Sequence, residues 1–260
     1  MSTFAVDRGG GALAGAKRGY REIVDELRAR IEQGLYRVGE KIPSESAVAE
    51  EFGAGRETVT KALRELTHYG LTTVSRGAAA KVRDFRPVRR NAVERLSKST
   101  WGAGVSMWAV DVRNERPTVA GLRVDHLEAA PRIAEALGLP RGAPVVLRSR
   151  HYVLGGKPVL MSDSYIPADL ADGTPIADED TGPGGIYARL DDAGHGPVRF
   201  KEEVLARMPR RAEEALMRLE PGTPVLGVVR TAFDAAGRAV EVNDMVLDAG
   251  SYILDYVTEA

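Results

Sequence analysis

Residues 39–71 read GEKIPSESAVAEEFGAGRETVTKALRELTHYGL, and the fold of the first part of the chain is decided here. Pro43-Ser44 marks a helix start, with Ser44 placed to accept a hydrogen bond from a backbone amide in the first turn. The spacing predicts a short helix over about Glu45–Phe52 that turns Val48 and Phe52 inward. Gly53 to Gly55 leaves room only for a tight turn. A further helix begins near Arg56 and stops before Gly70, burying a stripe of Val59, Ala62, Leu63 and Leu66. Two short helices joined by a few glycine-containing residues form a helix-turn-helix.

Working outward, Tyr20, Ile23, Val24, Leu27 and Ile31 recur at helical spacing and predict a preceding amphipathic helix. On the other side, Leu71–Ser75 reads as a strand, Arg76-Gly77 as a turn and Lys81–Arg83 as a returning strand. The hairpin is a basic wing. The face of the last helix opposite its apolar stripe carries Arg56, Glu57, Thr58, Thr60, Lys61 and Arg64. Arg suits bidentate contact with guanine, and Thr suits a hydroxyl partner or the thymine methyl. A merely solvated face has similar composition. The adjoining wing favours a recognition helix lying in the major groove.

The stretch resembles the DNA-binding domain of the GntR family of bacterial regulators. The family pattern is matched at Gly39, Pro43, Ser44, Glu45, Phe52, Arg56, Thr58, Val59, Ala62, Leu63, Leu66 and Gly70. The resemblance implies direct DNA contact by Arg56 and Thr58, with Ser44 and Glu45 serving mainly the helix start. Thr60, Lys61, Arg64, Arg76 and Lys81 complete the candidate DNA-binding set. Ser46 and Thr60 stand where the family often has Arg, and Gly77–Val82 (GAAAKV) departs from its usual wing. An atypical operator is the expectation.

The 260 residues carry a formal charge of −1, which conceals an asymmetry. Residues 17–95 hold 17 Lys and Arg against 12 Asp and Glu, whereas residues 96–260 hold 18 against 24. A basic module joined to an acidic one places phosphate contact in the first. No apolar run approaches the roughly 18 residues of a membrane span, and no cysteine is available for disulfides or thiolate ligands. Residues 1–16, rich in Gly and Ala, read as a flexible tail rather than a signal peptide. A cytoplasmic protein is expected. Residues 17–84 form the winged helix-turn-helix, 85–95 a basic linker containing Pro87, and 96–260 a second domain.

That second domain contains a repeat. Leu139, Gly142, Pro144, Val145 and Arg150 match Leu219, Gly222, Pro224, Val225 and Arg230, and Val159 matches Val240 after one inserted residue. Each copy runs helix, strand, glycine turn, strand, with helices near Ala129–Leu137 and Arg210–Leu219. The expected class is α+β, with one antiparallel sheet arranged about a pseudo-two-fold axis. The order and spacing of LGLPRGAPV, RSRHYVLGGKPV, SYIP, GGIYARLDDAGH and RTAFDAAGRAVEVNDMVL resemble the UTRA ligand-sensing domain of HutC-type GntR regulators. Its fold is related to that of chorismate lyase, and the resemblance spans about residues 92–257.

The resemblance implies an effector site at Arg150, Tyr152, Ser162, Tyr165, Gly185, Tyr187 and Glu241. Arg150 is the candidate for an anionic group. Tyr152 stands where a second Arg is common, Ser162 where an acid is common, and Gly185 where Ser is usual, so a sugar phosphate is disfavoured. Each of these residues also has a structural reading as core aromatic, sheet-face pair or surface charge. The acidic, Gly- and Pro-rich residues 171–185 read as a loop, either a lid over the site or plain irregular chain.

No catalytic constellation appears. His68, His126, His151 and His195 lack metal-ligand spacing, and neither G-x-S-x-G nor a phosphate loop is present. The sequence therefore predicts a DNA-binding regulator without cofactor or metal: a homodimer on a palindromic operator, repressing until a small-molecule effector releases it. Two rival readings are a DNA-binding protein whose second domain only dimerises, and a chorismate-lyase-like enzyme.

Overall fold

The computed structural model describes residues 18–74, 79–83, 87–104, 118–220 and 222–257. The tail 1–16 and Arg76 lie outside them. The chain divides into two compact units, residues 1–84 and 85–260.

In the first unit, α1 (Tyr20–Glu32), α2 (Glu45–Phe52) and α3 (Arg56–His68) are followed by a two-stranded hairpin of β1 (Thr72–Thr73) and β2 (Lys81–Val82). Ser44 caps α2, its hydroxyl accepting from the Ala47 amide at 3.3 Å. Gly53 ends α2 at φ +60°, a left-handed conformation that lets α3 start three residues later. Ile23, Val24, Leu27, Val48, Phe52, Val59, Ala62 and Leu66 interlock with Ile42 and Val82 in a single core. Among the described residues the hairpin pairs Thr72 with Val82 and Thr73 with Lys81, and the Arg83 amide donates to the Leu71 carbonyl at 2.9 Å.

The second unit is built on one antiparallel sheet of order β4-β5-β6-β9-β8-β7. Its strands are β4 (Thr118–Glu128), β5 (Pro144–Leu154), β6 (Lys157–Pro167), β7 (Arg199–Arg207), β8 (Val225–Phe233) and β9 (Ala239–Asp248). Helix α6 (Pro131–Leu137) joins β4 to β5, and α9 (Arg211–Met217) joins β7 to β8. The two halves meet where β6 pairs with β9. Met161 faces Val246 and Tyr165 faces Val242, symmetrically about the pair Asp163–Asp244. Two carboxylates side by side on neighbouring strands repel. Arg132 of α6 relieves this by pairing with Asp244.

Side chains alternate across the sheet and separate its two faces. One face, with Val145, Tyr165, Val229 and Val242, packs on α6. The other carries Val146, Ile166, Ala232 and Val240 beneath α7 (Ala168–Ala171), a 3-10 turn at Pro175–Ala177 and α8 (Gly185–Asp192). Trp101 of α5 (Lys98–Trp101) seals this layer, 1 % exposed and edge-on to Tyr187 at 6.0 Å.

The expected linker 85–95 is corrected by the structure. Val88–Asn91 forms strand β3, parallel to β10 (Tyr252–Asp255), and α4 (Ala92–Leu96) comes directly after it. Two of its charges are withdrawn from water: Arg90 and Arg95 are buried, and Arg90 donates to Glu202 at 2.7 Å. A basic stretch looks like linker when its charges are assumed to face water. Here two of them face inward.

Leu190 is fully buried in the same cluster as Trp101. Leu190→Ala is expected to destabilise the second unit by about 2–5 kcal/mol. Tryptophan fluorescence during urea unfolding reads this as a lowered midpoint, and an unchanged midpoint contradicts the packing.

Candidate functional site

Two surfaces carry the candidate residues, one in each unit. On α3, Arg56 and Lys61 are exposed, Arg64 likewise, and together with Glu57 and Thr60 they line one shallow depression. Arg56 is 89 % exposed and only loosely paired with Glu45, at 3.6 Å. Lys61 lies 3.8 Å over the Tyr20 ring, which fixes the ammonium on the helix face. Thr58 is half-buried. Thr60 is less free than its helical position suggests, because its hydroxyl donates to Glu45 at 3.2 Å. Ser44 shares a hydroxyl–hydroxyl bond of 2.9 Å with Ser46 besides capping α2. Lys81 is exposed on the hairpin.

In the second unit a cavity of about 360 Å³ opens between β4, β5 and the chain leading into α8. Arg150, Tyr152, Gly185, Tyr187 and Glu241 all line it, brought together from β5, α8 and β9. Arg150 donates through Nε to the Tyr152 hydroxyl at 2.7 Å and reaches Ser164 Oγ at 3.4 Å. Burial raises the Tyr152 hydroxyl pKa above the usual phenol value, so it stays protonated. Tyr187 is raised well above that value, first by burial and then by Glu241, to which it donates at 2.6 Å. Behind this wall Arg230 is fully buried, 3.7 Å from Glu241 and 5.6 Å over the Tyr187 ring. Burial opposes its charge, but the Tyr187 ring, Glu241 and Glu202 outweigh it and raise its pKa above the usual guanidinium value.

Two candidates are absent from the lining. Tyr165 points to the α6 side of the sheet, one residue out of phase with the cavity face. Ser162 lies opposite Arg150 on the correct face but is sealed in, donating to Asn243 Oδ1 at 2.9 Å.

Arg148, a cavity residue that the sequence pattern did not single out, shapes the mouth. It is 3 % exposed and donates to the carbonyls of Ile176 and Glu179, at 2.7 and 2.8 Å, and to that of Asp178. Burial, reinforced by Arg150, pushes its pKa down to about 10. The segment expected to be a lid or irregular chain is therefore clamped, with Ile176 fully buried below it. The available signal was the spacing Arg148-x-Arg150, which puts both guanidinium groups on one face of a strand. Gly184, at φ +79°, completes the rim; a Cβ there would sit 2.5 Å from the Trp101 carbonyl.

The comparisons with known proteins agree with this architecture. Residues 19–82 match the model described as bacterial regulatory proteins, gntR family, and residues 113–252 match the UTRA domain. An uncharacterized HTH-type transcriptional regulator of Streptomyces coelicolor is 33 % identical over 230 residues, 85 % of this chain and 86 % of that protein. The chain belongs to the gntR family. Within it, the chain has the combination of domains that marks HutC-type regulators, and it is a DNA-binding transcription regulator, not an enzyme. The HTH-type transcriptional repressor NagR of Bacillus subtilis is similar at 24 % identity, covering 85 % of this chain and 87 % of NagR. The fold is shared with a crystal structure of a GntR-family regulator, at TM-score 0.66, 24 % identity and coverage of 94 % and 98 %. No helix among the described residues is long and apolar enough to cross a membrane.

Removing the Arg148 clamp should free the cavity mouth without unfolding the unit. For Arg148→Ala, amide exchange at residues 176–182 is expected to accelerate about tenfold or more, since hydrogen bonds to a charged donor are lost. Exchange measured by mass spectrometry at wild-type rates counts against the clamp.

Proposed function

We propose that this gntR-family regulator is a homodimeric repressor, acting in the cytoplasm, whose hold on a palindromic operator weakens when a small molecule fills the cavity of the second unit. The supporting observation is the convergence of Arg150, Tyr152, Gly185, Tyr187 and Glu241, from separate elements, on one cavity. In this reading Arg56 and Thr58 read bases at the start of α3. Thr60, Lys61 and Arg64 extend the reading face, while Ser44, Arg76 and Lys81 approach phosphates. Two copies on a palindrome double a contact that one helix makes over only a few base pairs. Release results if the effector-bound state has lower affinity for the operator, because a ligand shifts an equilibrium only by its differential affinity. Tyr152 supports a route for that coupling. It forms part of the cavity wall and packs in the apolar cluster that holds Val88 of β3, a few residues after the DNA-binding unit.

Selection of bound DNA from a random library supplies the operator, and a gel shift then tests the reading head. Arg56→Ala is expected to cost about 1–3 kcal/mol of specific binding, and unchanged affinity removes Arg56 from the interface. With the operator in hand, a metabolite screen for release tests the effector reading. Arg150→Gln should bind the operator normally and resist release by whatever compound frees the wild-type protein.

A further inference from the structure

Among the described residues the charges around the cavity are balanced. Two arginines line it, Arg148 and Arg150, and Arg230 stands directly behind Glu241. Against these stand three carboxylates of the lining, Glu179, Asp180 and Glu241. The cations are not equivalent. Arg148 spends its guanidinium on the backbone carbonyls of Ile176, Asp178 and Glu179. Arg230 is committed to Glu241 and the Tyr187 ring. Among the described lining residues, Arg150 is the cation whose only hydrogen bonds are to hydroxyls, those of Tyr152 and Ser164. It can turn its remaining N–H groups to one singly charged group.

The rest of the polar lining asks for donors. Glu179 and Asp180 are exposed at the mouth, and Glu241 forms the inner wall, receiving the Tyr187 hydroxyl on Oε2. Carboxylates accept hydrogen bonds only. A dianion placed here would meet one available guanidinium beside the carboxylates of Glu179 and Asp180, with Glu241 already paired with Arg230, leaving charge uncompensated in a partly buried site. Val119, Leu122 and Ile186 add an aliphatic wall.

Building on the effector reading above, we infer that the cavity takes a zwitterion of the amino-acid type. Its single carboxylate rests on Arg150, and its ammonium faces the carboxylates of Glu179, Asp180 and Glu241. The same balance disfavours phosphate monoesters.

Thermal unfolding of the full-length protein tests this with three sets of probes: α- and ω-amino acids, the corresponding carboxylates without the amine, and phosphate monoesters such as glycerol 2-phosphate. An amino acid is expected to raise Tm by about 3–6 °C at ten times its Kd. Its analogue lacking the amine should bind at least about tenfold more weakly, a loss of the size expected for a charge-assisted bond. Arg150→Gln should abolish the shift. The double variant Glu179→Gln with Asp180→Asn should weaken the amino acid while leaving the simple carboxylate unchanged, an outcome that general loosening of the mouth does not produce. A phosphate monoester that binds through Arg150 and releases the operator overturns the zwitterion and leaves the effector reading standing. If a broad metabolite library yields no compound that binds, both fall.

Discussion

An arginine moved out of water must have its charge met inside the protein, and the second unit is organised around that requirement. Arg90 reaches Glu202, Arg148 reaches three carbonyls, and Arg230 reaches Glu241 and the face of Tyr187. Each pairing ties one element to another that is distant in the chain. Arg90 ties β3 to β7, Arg148 ties β5 to the 3-10 turn and to Asp178 and Glu179 beyond it, and Arg230 ties β8 to β9 and α8. Taking one partner away from such a set is far more damaging than a surface deletion, because the survivor is a buried, uncompensated charge. Arg150 differs from these: it lines the cavity, and its hydrogen bonds go to the hydroxyls of Tyr152 and Ser164.

The two halves of the sheet make the same point by comparison. Arg150 and Arg230 stand at matching positions of the repeat, and their neighbours across the strands, Ser162 and Asn243, bond to each other next to the axis. The second half closes over its arginine with Glu241 and Tyr187, and the first does not. The same strand position thus lies in the core in one half and in the cavity wall in the other. The asymmetry lies in the neighbours rather than in the arginines.

How much of this was legible in the sequence depends on the range of the interactions involved. The helices of the first unit announce themselves because their apolar spacing, cap and turn are local: Ser44, Gly53 and the stripe through Leu66 each act within a few residues. The repeat was legible because its copies could be compared with each other. Tyr165 was misplaced by a single step of strand alternation, which resemblance to a motif does not resolve. Arg148 and the folded stretch from Val88 were missed for a different reason. Both depend on partners some 30 to 165 positions away, the carbonyls of 176–179 for one and β10 for the other.

The pairing of β3 with β10 also orders events in time. Among the described residues the first unit's core is built from positions between Tyr20 and Val82, so a chain still on the ribosome can complete it early. Strand β3 is made next but must wait for Tyr252–Asp255, which follow only after the whole six-stranded sheet has been made. Between those moments the nascent protein carries a finished DNA-reading head and an unfinished second unit. A chain interrupted between those two points would hold the helices of the first unit while β3 lacked its partner. The second unit therefore closes on itself through its first and last described strands, and its completion cannot precede the making of both.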